Sequence, residues 1–186
     1  TKNYRMLVQL DNAEQMIKTG LALNEHNYQL HYQQAGLYID RWRIKGEPLN
    51  DPLLDAALKK IDYTISLNPT SATSHALRAK VLNFKEQYDQ SAAAWQKADQ
   101  LDTEHNHFAY RSAKVYLDQE QWLKAEPILI ELVDRYPYDV PLLRELAMTR
   151  YAAEKWPEAQ KSLTQYQSTN PNDPEVNAAL REIDGS

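Results

Sequence analysis

The chain contains no cysteine, which excludes disulfides and thiolate metal sites. It has four glycines in 186 residues, and none belongs to a glycine-rich loop of the kind that cradles phosphate. No apolar stretch approaches the ~20 residues a helix needs to cross a bilayer. β-Branched residues are few and scattered, which argues against strands. Basic residues are not in excess either: 21 Lys and Arg stand against 26 Asp and Glu, giving a net charge of -5 and a pI near 5.5. A duplex nucleic-acid binder shows a basic face and a high pI, so nucleic acid is not the expected partner. The one sequon-like stretch, Asn68-Pro69-Thr70, carries proline in the forbidden position. The chain begins at Thr1 without a signal peptide, as an excised fragment would, and its composition suits the bacterial cytoplasm and the periplasm alike.

Catalytic patterns are missing as well. There is no nucleophile elbow and no HExxH pair. The five histidines lie in different parts of the chain. His26 and His31 flank one helix start and His105 and His107 another, without the three or four convergent ligands that a metal requires. No enzyme activity, no cofactor and no metal are expected.

What is abundant is Ala, Leu, Gln, Glu and Lys, all good helix formers, arranged with a fixed period. Pro69, Thr103, Pro137 and Pro171 are each 34 residues apart. The same spacing relates Tyr88, Trp122 and Trp156; Ser91, Ala125 and Ala159; Trp95, Leu129 and Leu163; and Ala79, Ala113 and Ala147. Each series has a physical reading. The small residues mark close approach of helix backbones. The aromatics follow a turn and wedge between helices. Proline ends each unit, because it cannot continue a helix and drives the preceding residue out of the α region.

This pattern resembles the tetratricopeptide repeat, a 34-residue helix–turn–helix unit. It departs from the family at two places. His75, Ala109 and Leu143 stand where a tryptophan is common, and Glu86, Glu120 and Glu154 stand where a turn glycine is common. The resemblance implies an all-α fold, a right-handed superhelical solenoid of antiparallel helix pairs. The expected organisation is a single array: a half repeat over 1–27, an enlarged repeat over 28–71, regular repeats over 72–105, 106–139 and 140–173, and a capping helix and tail over 174–186. Ala35 to Ala57 spans twenty-two residues where Ala79 to Ser91 spans twelve. Ten residues are therefore inserted at about 43–52, read as a first helix prolonged past Trp42 and then a loop broken by Gly46, Pro48 and Pro52. That loop is expected to lie outside the packed core. Trp42 either covers its own helix with Ile39 and Leu53 or is exposed for a partner, while Trp95, Trp122 and Trp156 are expected in the core.

The resemblance also implies a function: a non-catalytic interaction module holding a partner protein or peptide in the concave groove of its first helices. Carried over position by position, the partner-binding residues are Tyr32, Lys80, Phe84, Tyr110, Lys114, Arg144 and Tyr151. Aromatics and arginine are the types that anchor interfaces, and the strip reads as mostly positive, with Asp40 and Asp118 as exceptions. The carboxylate clamp of some family members uses Lys and Asn in one repeat, Asn in the next and Lys plus Arg in the third; the matching positions are Ala76 and Lys80, then Arg111, then Pro141 and Glu145, of which only Lys80 fits. The expected context is a larger bacterial signalling protein, with an envelope assembly factor or lipoprotein (pilus, secretion or cytochrome maturation) as the alternative.

Overall fold

The computed structural model describes residues 2–102 and 107–185. Thr103 of the proline series and His105 lie outside them. Ten α-helices follow one another with no strand among the described residues. They fall into two compact units, 1–105 and 106–186. The first holds α1 (Lys2–Leu23), α2 (Tyr28–Ile44), α3 (Pro52–Leu67), α4 (Ala72–Phe84) and α5 (Tyr88–Leu101). The second holds α6 (His107–Leu117), α7 (Trp122–Arg135), α8 (Val140–Ala152), α9 (Trp156–Thr169) and α10 (Pro174–Gly185). Within each unit, consecutive helices joined by short turns form the helix pairs of an α solenoid.

The helices start where short polar side chains can cap them. Asn27, Asp51, Ser71 and Asp139 each accept a hydrogen bond from an amide of the first turn of α2, α3, α4 and α8. Their pairing rests on the small residues. Ala35, Ala57, Ala79, Ser91, Ala113, Ala125, Ala147 and Ala159 are all fully buried, because a longer side chain there would hold the two helices of a pair apart. Ser91 adds a polar lock across its pair, its hydroxyl donating to the Ala79 carbonyl at 2.8 Å. Gly20 serves the same end between α1 and α2: a Cβ there would sit 2.7 Å from Leu30 Cδ1.

The turns explain how the pairs close. In the α4–α5 turn the Gln87 amide donates to the Leu82 carbonyl at 2.9 Å and the Glu86 amide to the Asn83 carbonyl at 3.0 Å. This double closure needs a left-handed residue at its corner, and Glu86 takes it with φ 58°. Glu120 (φ 54°) and Glu154 (φ 56°) do the same, with Gln121 donating to Tyr116 and Lys155 to Arg150. Left-handed backbone costs a residue bearing a Cβ about 1–2 kcal/mol, while glycine there gives up more chain entropy on folding. The net prediction is that Glu86→Gly, Glu120→Gly and Glu154→Gly each stabilise the chain by about 0.5–1 kcal/mol, read by urea unfolding. A loss of stability would mean that the glutamate side chains hold the turns.

The enlarged pair uses the same closure. Gly46 (φ 90°) stands at the corner, with the Glu47 amide donating to the Trp42 carbonyl at 3.2 Å. Ala35 lies eleven residues before this corner, against seven for Ala79 before Glu86. Four of the ten extra residues therefore add about one turn to α2, and the others form the loop into α3. That loop belongs to the packed structure, contrary to the expectation from sequence. Trp42 is buried among Ile39, Leu53, Leu54 and Phe84, and its indole Nε1 donates to the Pro48 carbonyl at 2.9 Å. Its ring meets Phe84 at 4.7 Å between centroids. Asp51, also buried, caps α3 and pairs with Lys45 at 3.1 Å.

In the second unit the core runs through Leu129, Leu132, Leu142 and Leu146, and again through Leu163, Val176 and Ala179. A buried carboxylate ties three helices beside it. Glu126 on α7 accepts from Arg150 Nε of α8 at 2.9 Å and from Lys155 Nζ at the start of α9, and Arg150 Nη1 reaches Ser162 of α9 at 2.7 Å. Burial alone would raise the Glu126 pKa, but the hydrogen bonds from Lys155 and Arg150 outweigh it and hold the carboxyl below its usual range. The tryptophans divide. Trp95 is buried, Trp122 is half-buried, and Trp156 is 40% exposed. The core reading fails for Trp156, whose ring packs edge-on against Tyr151, 5.7 Å away, yet stays partly open to solvent.

Candidate partner-binding surface

The first helices, α2 and α4 in one unit and α6 and α8 in the other, carry the candidate residues. In the first unit, Tyr28 and Tyr32 stand one helical turn apart on α2 beside Gln29 and Gln33. Across from them lie Asn68, Ser71 and Thr73, at the turn into α4. Together they wall an open cleft of about 520 Å³ without a charged residue. Tyr32 is half-buried, offering a ring face and a phenol. Lys80 on α4 is exposed and makes no hydrogen bond or ion pair among the described residues. Phe84 is committed elsewhere: it stacks on Trp42, and the Arg43 guanidinium lies over it at 5.6 Å.

In the second unit the candidate residues are held in a lattice of acid contacts. Tyr110 on α6 donates to Glu145 on α8 at 3.4 Å, and Tyr151 on α8 donates to Glu182 on α10. Burial, then the Glu145 charge, raises the Tyr110 phenol above its usual range, and the hydrogen bond to Glu182 raises that of Tyr151. Lys114 pairs with Asp118 one turn on, at 2.7 Å, which raises its pKa. Arg144 donates to Asp173 at 2.7 Å and to Glu175, so α8 grips the start of α10. Asp173 also caps that helix, accepting from the Glu175 and Val176 amides, and Arg144 holds its carboxyl down to about 2.

These contacts correct the charge reading of the strip. Lys114 and Arg144 are matched within the chain by Asp118, Asp173 and Glu175, with Glu145 and Glu182 taking the tyrosine hydroxyls, so neither is a free cation. Lys80 keeps its charge unmatched. The acids that meet Tyr110, Tyr151 and Arg144 were missed because each lies about one repeat downstream: Tyr110 to Glu145 spans 35 residues, Tyr151 to Glu182 spans 31 and Arg144 to Asp173 spans 29. An acid one repeat beyond each tyrosine was the available signal.

Consecutive helix pairs with invariantly buried small residues define the chain as an α solenoid of helix–turn–helix repeats. Residues 116–183 match the tetratricopeptide repeat family, and the fold of the chain is that of solved tetratricopeptide-repeat proteins. It is similar in structure to YrrB, described as a TPR protein with an unusual peptide-binding site, at 18% identity over 90% of this chain and 81% of that one, with a TM-score of 0.60. It is similar also to MamA, at 17% identity over 88% and 84% with a TM-score of 0.64. A third likeness is to a tetratricopeptide repeat protein from Parabacteroides merdae, at 16% identity over 98% and 69% with a TM-score of 0.63. At these identities the likeness is one of fold. No curated protein matches the sequence. Repeats of this class are generally interaction modules, and among the described residues no helix is long and apolar enough to cross a membrane.

Proposed function

We propose that the chain binds a segment of a partner protein, or a peptide, on the faces of its first helices, and that it does so without catalysis. The observation that carries this reading is the uncharged cleft of the first unit. Tyrosines supply large, rigid contact area at low entropic cost. The amides of Gln29, Gln33 and Asn68 and the hydroxyls of Ser71 and Thr73 can both donate and accept, which suits the backbone of a polypeptide better than a single charged group. Tyr32 is the anchor there, and Lys80 supplies a cation for a carboxylate of the partner. In the second unit Tyr110, Tyr151 and Lys114 offer further contacts, with Arg144 holding the capping helix in place beside them. The fold of YrrB, whose description includes a peptide-binding site, is consistent with this use.

The test begins with selection of random twelve-residue peptides on the immobilised chain, followed by titration of the best binder. Tyr32→Ala is expected to weaken it at least tenfold, in line with loss of an aromatic anchor, with helix content unchanged. Lys80→Glu is expected to weaken an acidic binder and flatten its salt dependence. Affinities that ignore both substitutions would overturn the reading.

A further inference from the structure

A second surface lies in the second unit, at the edge formed by its turns rather than on the first-helix faces. Glu120, Gln121, Trp122, Leu123 and Lys124 on one side, with Ala152, Ala153 and Glu154 on the other, enclose an open cleft of about 440 Å³. Leu123 is 67% exposed. The repeat does not require a leucine at this position, since its equivalents 34 residues away on either side are Asp89 and Pro157. The half-buried Trp122 forms the apolar floor with Ala152 and Ala153.

The polar groups around this floor are mostly acceptors. Glu120 and Glu154 are exposed at its two ends, with no side-chain partner among the described residues. Both take the left-handed corner of their turns, at φ 54° and 56°, as Glu86 does in the first unit. Pro127, inside α7, has no amide to give to the Leu123 carbonyl one turn before it, so that carbonyl lacks its usual helical donor. The lysine here is engaged, its Nζ over the Tyr116 ring at 5.3 Å. An apolar floor between unmatched acceptors fits an occupant that brings an aliphatic side chain and donors on both sides of it.

We infer that this turn edge is a second docking site, independent of the first-helix faces, for a protein segment with an aliphatic side chain between basic residues. The test uses the full chain and three acetylated, amidated peptides, Lys-Lys-Leu-Lys-Lys, Lys-Lys-Gly-Lys-Lys and Glu-Glu-Leu-Glu-Glu, titrated to several millimolar and followed by the amide and methyl resonances of residues 120–124 and 152–154. The first peptide is expected to give saturable shifts there that weaken as salt is raised, and the other two to bind at least tenfold more weakly. Leu123→Ser should abolish the shifts, and the isosteric double variant Glu120→Gln/Glu154→Gln should weaken binding about tenfold with unchanged melting. No saturable shift at these residues, equal binding of the acidic peptide, or indifference to both variants would overturn the site. None of these results bears on Tyr32 or Lys80, so failure here and failure of the first-helix reading are separable.

Discussion

Trp42→Ala is expected to lower the stability of the first unit by about 3–5 kcal/mol, the range for truncating a buried large aromatic. Three losses add. The indole leaves a cavity between Ile39, Leu54 and Phe84. Phe84 loses the ring it stacks on at 4.7 Å. The Pro48 carbonyl loses its donor, which frees the loop that delivers Asp51 to the start of α3. Trp42→Phe keeps an aromatic ring but loses the hydrogen bond and part of the indole volume, so it should cost less, about 1.5–3 kcal/mol. The check is urea unfolding followed by circular dichroism. A cost below about 1 kcal/mol for Trp42→Ala would mean that α2 and α3 pair without the tryptophan and that the loop is a passive insert.

The second large effect concerns Glu126. Arg150→Leu is expected to destabilise the second unit by about 2–4 kcal/mol at pH 7, because it leaves a buried carboxylate with Lys155 as its remaining cation. The pH dependence separates this cause from lost packing. In the wild type the Glu126 pKa lies below its ordinary value of 4.5, so its contribution is complete above that value and is lost as pH falls through the lowered one. In the variant, burial raises the pKa, so acidification from pH 7 toward 5 should recover part of the loss. Arg150→Leu/Glu126→Leu should recover it at all pH values. A deficit that does not change with pH would show that Arg150 contributes through its aliphatic stem alone.

The frame of the fold was readable from the chain because backbone approach leaves a sharp mark. Only small residues fit where the helices of a pair touch, and Ala79, Ala113 and Ala147 recur at the spacing that geometry demands. The insertion was readable as a count of ten residues, but its content was not. Gly46, Pro48 and Pro52 announce a break in the helix, whereas the bond from Trp42 to the Pro48 carbonyl depends on where the loop falls back. On the candidate surface, the ion pairs that cross between helices were not legible. Arg144 read as a free cation because helix periodicity says nothing about acids that arrive from the next helix pair, whereas the acid that meets Lys114 stands four residues on, at Asp118, and was within reach of the sequence. Trp156 followed the repeat pattern of Trp122, yet burial depends on what lies beyond a helix, and no sequence period records that.

The most direct test of the central claim is a chemical-shift map of a selected peptide bound to the full chain, with assignments across the described helices. The account predicts that the largest perturbations fall on α2 and α4 around Tyr28, Tyr32, Gln33 and Thr73. Perturbations confined to the outward residues of α3, α5, α7 and α9, with those side chains unmoved, would contradict it.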